Sequence, residues 1–193
     1  MRVFVAGATG VIGVRLVPLL VDAGHDVTAM TRTAAKASVI RAAGANAVVC
    51  DVYDPAMPRA VRAARPEILI NALSDLSDEI GVGGGKRSGA NARIRREGSR
   101  SLMEAAASTG VERVVAFSVA WPLEGDEGVA VREMERAVLD AGGVVVRCGR
   151  LYGPGTWYAD HLPPPPRIHV DDAARKSLAS LDARPGTIEL VDA

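Results

Sequence analysis

Three glycines, Gly7, Gly10 and Gly13, follow directly on the apolar run Val3-Phe4-Val5-Ala6. Their spacing points to a chemistry of the backbone rather than of side chains. A strand that feeds a helix through a tight turn leaves unpaired N–H groups at the helix start, and with the helix dipole these make an anion site. Gly7 permits the turn, Gly10 lets a pyrophosphate approach the main chain, and Gly13 lets the helix pack closely on the sheet. Thr9, Val11 and Ile12 complete the same turn. With a strand before it and a helix after it, the segment reads as a dinucleotide site.

The second strand ends at Met30-Thr31-Arg32, with no acidic residue to accept the adenosine ribose hydroxyls. Arg32 can instead pair with a 2′-phosphate, assisted by Thr31 and Lys36, so the expected cofactor is NADP rather than NAD. Asp51, with Val52 beside it, follows the third strand and is placed to meet the adenine amino group; a surface turn at Asp51 or Asp54 is the other reading.

These residues need a frame, and the chain alternates strand and helix almost from end to end. Strands are expected at residues 3–6, 26–31, 47–50, 67–71, 113–118, 144–147 and 187–191. Helices are expected at 14–23, 34–43, 55–64, 91–109, 129–141 and 171–181. Residues 74–89 read as a loop with a flexible Gly-rich tip, and 152–167 as an irregular stretch whose Pro163–Pro166 run is a stiff surface loop. Alternating β and α units imply an α/β, doubly wound, parallel sheet of Rossmann type, in a single domain spanning residues 1–193.

Composition narrows the function. Lys plus Arg number 23 and Asp plus Glu 23, so no basic footprint argues for nucleic acid or an anionic membrane. Cys50 and Cys148 lie far apart without metal-ligand spacing, so neither a disulfide framework nor a metal site is expected. No leader or membrane-spanning run is evident, and the expectation is a cytoplasmic protein acting on a small molecule, as monomer or homodimer.

The sequence resembles the extended or atypical branch of the short-chain dehydrogenase/reductase superfamily, the NAD-dependent epimerase/dehydratase family. The resemblance rests on Gly7-x-x-Gly10-x-x-Gly13, Asp51-Val52, Asn71-Ala72, the helix from Asn91 to Leu102, Ser118, the segment Arg147 to Gly155, and Arg167 to Ala174. It implies that Asn71, Ala72 and Leu73 pass beside the cofactor and that Cys148, Gly149 and Leu151 border the nicotinamide. It also implies that Ser118 is the catalytic Ser/Thr.

One departure bears on mechanism. Such enzymes use a Tyr four residues before a Lys as general acid/base, the Lys lowering the Tyr pKa. If Glu135 is the helix Glu that usually follows, Glu127 and Val131 stand in those positions, and no small shift restores the pair. The expected function is an NAD(P)-dependent oxidoreductase or epimerase-like protein moving hydride on a small carbonyl or alcohol. Ser118 would hydrogen-bond the carbonyl and Tyr152 would replace the missing proton donor; Tyr158, His161 and Glu127 rank behind it. Trp121 and Trp157 are expected as pocket walls. The alternative is an inactive NADP-binding redox sensor, with transient-hydride isomerase or dehydratase chemistry third.

Overall fold

A computed structural model of the chain describes residues 1–74 and 84–192. Seven parallel strands form one sheet: β1 (Arg2–Ala6), β2 (Asp26–Thr31), β3 (Asn46–Val49), β4 (Ile68–Asn71), β5 (Arg113–Val119), β6 (Val144–Cys148) and, last in the chain, β9 (Gly186–Leu190). Their spatial order is β3-β2-β1-β4-β5-β6-β9. The chain therefore starts mid-sheet, builds outward to β3, and then crosses to the other side of β1. Between β1 and β4 the connections diverge, which opens a crevice beyond the strands' C-terminal ends.

Both faces of the sheet are covered, so β4 is buried at all four positions and β1 at all but Arg2. Alternation along β1 sends Val3 and Val5 into one core and Phe4 and Ala6 into the other. The first core packs under α1 (Gly13–Asp22) through Leu16, Val17 and Leu20, with Ala173 of α7 (Val170–Ser177) beside them. Beneath the opposite face lie Met57 and Val61 of α3 (Met57–Ala64) and Leu102 of α5 (Ser99–Thr109). A short α2 (Ala37–Ala42), preceded by a 3₁₀ turn at Ala34–Lys36, joins β2 to β3.

Four features differ from the sequence reading. The helix expected at 91–109 begins earlier, as α4 (Gly84–Arg93), and passes through a π turn at Ile94–Gly98 before α5. The expected loop therefore gives way to helix at Gly84, and its remainder beyond Ser74, including Gly81–Gly83 of the Gly-rich tip, lies outside the described residues. The next helix, α6 (Gly125–Asp140), starts four residues before the expected Val129. Gly128 lies inside this helix, and a Cβ there would sit 1.9 Å from the Leu123 carbonyl oxygen, so the glycine answers to packing. Asp126 and Glu127 favour the N-terminal turn electrostatically. Finally, the irregular stretch is clamped by a parallel pair, β7 (Arg150–Tyr152) with β8 (Arg167–His169). Three residues are too few to show a period in sequence.

Candidate functional site

The turn after β1 is shaped by contacts that only glycine allows. Gly7 has φ +85°, and a Cβ there would lie 2.3 Å from the Ala72 carbonyl oxygen, so the turn is pressed onto the chain leaving β4. At Gly13 a Cβ would fall 2.3 Å from the Gly7 oxygen, which locks the start of α1 against the turn. Gly10 is different. A Cβ there meets one atom only, the Gly7 oxygen at 3.3 Å, so its other side is open. No side chain caps the start of α1 at Ile12. Gly10, Val14 and Arg15 spend their N–H groups on the carbonyls of Gly7, Gly10 and Ile12, which leaves the other donors of the turn, backed by the helix dipole, for a ligand.

These groups open onto one cavity of about 920 Å³, at the large end of the usual range for small-molecule sites. Gly7, Thr9, Gly10, Val11 and Ile12 form its floor, and Thr31, Arg32 and Lys36 stand at the end of β2. Thr31 is buried, its hydroxyl 3.2 Å from that of Thr9. Val52, Ala72 and Leu73 form an apolar wall. Past the β1–β4 divide the same cavity continues along Arg95, Phe117, Ser118 and Trp121, then Cys148, Gly149 and Leu151, and out to Trp157 and Tyr158.

Four of the expected site residues are not on this wall. Gly13 acts through the packing just described. Asn71 is buried behind the wall: its Oδ1 accepts the Leu73 N–H at 3.1 Å and its Nδ2 donates to Ser99 Oγ at 2.9 Å. It shapes the Ala72–Leu73 turn rather than facing the cavity. Asp51 caps its own turn, its Oδ1 accepting the Tyr53 N–H at 2.9 Å. Tyr152 is the largest departure. Its hydroxyl donates to Asp192 Oδ2 at 2.8 Å, its ring packs edge-on against His169, and it does not line the cavity. The Asp192 hydrogen bond and charge push the phenol above its ordinary pKa, which makes it a weaker acid. The phenol on the wall is Tyr158, whose ring meets His161 edge-on.

Ser118 reaches the cavity, but its hydrogen is spent. Glu135, on α6, is 5% exposed and accepts from Ser118 Oγ at 2.5 Å and from Arg147 at 2.9 Å and 2.5 Å. Burial pushes the Glu135 carboxyl up, but Arg147, the Ser118 hydrogen bond and the charge of Arg95 together hold it below the usual carboxylate range. An ionised carboxylate only accepts, so Ser118 must donate to it and turns lone pairs toward the cavity. The expected donation from Ser118 to a substrate carbonyl is therefore not available while Glu135 is ionised. Cys148 is an inert wall thiol, pushed up to about 12 by burial.

Positions read as the vacant Tyr and Lys are Glu127 and Val131 on α6. Glu127 Oε1 accepts from Asn91 Nδ2 at 2.5 Å, Val131 is buried, and neither lines the main cavity. Sequence reasoning missed Glu135 as a partner of Ser118 and missed Arg95 altogether. Arg95 carried a readable signal: it lies seven residues before the core residue Leu102, on the stripe that helical spacing predicts to be buried.

The open turn, the uncapped helix start and the two cations at the end of β2 suit a dinucleotide. The chain belongs to the NAD(P)H-binding family, whose profile matches residues 7–142. It is 37% identical to the 3-diazoavenalumate denitrifying reductase of a Streptomyces species, over 95% of this chain and 73% of that protein. It is 28% identical to the uncharacterized sugar epimerase YhfK of Bacillus subtilis, over 95% and 89%. Among solved structures, UDP-glucose 4-epimerase of Thermotoga maritima with UDP-glucose superposes with a TM-score of 0.79 at 18% identity, covering 99% of this chain and 77% of the epimerase. The Thermus thermophilus UDP-glucose 4-epimerase complex with NAD gives 0.78 at 19% identity, over 99% and 78%. The fold is that of the extended short-chain dehydrogenase/reductases and the NAD-dependent epimerase/dehydratase family.

Proposed function

We propose that the chain is an NADP-dependent reductase of a small molecule. The observation that carries this reading is the single cavity running from the Gly7–Gly13 turn to Ser118 and Tyr158. The turn would hold the pyrophosphate, and Arg32 with Lys36 the 2′-phosphate. When bound, NADPH supplies a hydride, which on an aryl diazonium displaces dinitrogen and needs no proton from the protein. Such a substrate suits a site without the Tyr–Lys pair, and the similar Streptomyces reductase is named for denitrifying a diazo compound. For a carbonyl substrate the proton would come from Tyr158, which replaces Tyr152 as donor because it faces the cavity. Ser118, held by Glu135, offers an acceptor to a ligand N–H or O–H.

The sensor reading keeps one observation in its favour: Val131 stands where the Lys would be, and the ion pair behind Ser118 joins Glu135 to Arg147, not to a proton donor. A panel of aryl diazonium salts, aldehydes, ketones and quinones separates the two. Loss of NADPH absorbance with release of dinitrogen from the diazonium salts is the expected result. Intact NADPH across the panel, with tight binding, would favour the sensor.

A further inference from the structure

Arg95 sits in the π turn between α4 and α5, a local widening that recurs at functional sites. It is 8% exposed and lines the cavity. Its Nε and Nη1 are shut off from solvent and, among the described residues, have no hydrogen-bond partner. A guanidinium stays charged at any physiological pH, so burying it unpaired is costly. Burial indeed lowers its pKa, against the opposing charges of Glu127 and Glu135. Both carboxylates act only through space, because each is already engaged, Glu127 by Asn91 and Glu135 by Ser118 and Arg147. Among the described residues no further carboxylate reaches Arg95, and the cavity it lines is open to a counter-charge.

We propose that Arg95 is the recognition residue for a carboxylate on the substrate, seating it in the part of the cavity that Ser118 also lines. The proposal rests on the reading that this cavity takes substrate together with NADP. Three points favour a carboxylate. Arg95 and Ser118 flank the same Glu135, which places the charge beside the substrate end and away from the glycine turn. The cofactor's phosphates already have the helix start and the Arg32–Lys36 end. Two nearby carboxylates would repel a phosphate dianion, whereas one guanidinium can match a monoanion.

Calorimetric titration of the NADP-loaded protein with cinnamate, benzoate and cinnamamide tests this. Both acids should bind, and cinnamate should bind at least about tenfold tighter than its neutral amide. Arg95→Gln should erase that difference with NADP affinity unchanged, and Arg95→Lys should keep part of it. Equal affinity of cinnamate and cinnamamide for the wild type, no binding of either acid at millimolar concentration, or a preference that survives in Arg95→Gln overturns the proposal. Should Arg95→Gln fail to fold by circular dichroism, the wild-type comparison and Arg95→Lys still decide. Repeating the titration without NADP separates the two readings. A wild type that prefers the acid but takes up no NADP refutes the cofactor assignment and leaves Arg95 standing.

Discussion

The two ends of the cavity are built on different principles. The glycine-turn end comes from one stretch of chain, Arg2 to Lys36, and works through backbone shape: a turn wedged under Ala72 and a helix start without a side-chain cap. Its opposite end presents Arg95 from the π turn and Ser118 from β5, with Glu135 of α6 and Arg147 of β6 behind Ser118, and works through charge. Damage to the first should therefore act directly on ligand binding. Damage to the second should act on stability and substrate choice, and should depend on pH.

Gly10→Asp should produce the largest effect. Its Cβ meets only the Gly7 oxygen, at a tight 3.3 Å that a shift of a few tenths of an ångström relieves, so the fold should survive. A carboxylate aimed at the pyrophosphate should still weaken NADP by at least about a hundredfold in calorimetric titration. Wild-type affinity in this variant would break the backbone side of the comparison.

At the charged end, Arg147→Ala leaves Glu135 buried without its ion partner. Because Arg147 is part-exposed and Glu135 keeps Ser118 and the charge of Arg95, the loss should be about 1–2 kcal/mol, a fall in Tm of roughly 2–8 °C for a chain of this size. The sign with pH follows from Glu135, whose folded pKa lies below the usual carboxylate value. Its stabilisation is fully present above the unfolded value of about 4.3 and fades as pH falls through the lower folded value. Thermal melts of wild type and variant should therefore converge below about pH 4. A gap that widens on acidification would contradict the assignment.

Tyr152→Phe should do least. It removes one hydrogen bond to Asp192, outside the cavity lining, so Tm should fall slightly. Turnover, measured by NADPH absorbance, should stay within about twofold of wild type, against the hundredfold or more expected for a lost general acid. The hundredfold loss belongs to Tyr158→Phe on a carbonyl substrate, and only there.

This contrast also explains what could be read in advance. Gly7, Gly10 and Gly13 sit at short, fixed spacing after an apolar strand, and Arg32 ends the next strand, so local pattern alone placed them. Asn71 was legible as a strand end but not as the residue that shapes the Ala72–Leu73 turn, because its partner Ser99 is 28 residues away. Ser118 could be assigned to the end of β5, yet its role turns on Glu135 and Arg147, which reach it only through the pairing of β5 with β6 and the packing of α6. The same dependence misplaced Tyr152: the pairing of β7 with β8 and the return of Asp192 decide where its hydroxyl points. Arg95 lay on a buried helical stripe in plain view, but a lone charge there does not say whether a partner exists.

The central claim is that the Gly7–Gly13 turn with Arg32 holds NADP in preference to NAD. Fluorescence titration of the wild type and of Arg32→Ala with NADPH and NADH tests it most directly. The account predicts that the wild type binds NADPH at least about tenfold tighter than NADH, one charge-assisted contact's worth. Arg32→Ala should lose that margin through NADPH alone, with NADH unchanged. Equal affinities in the wild type, or a loss shared by both nucleotides in Arg32→Ala, would contradict it.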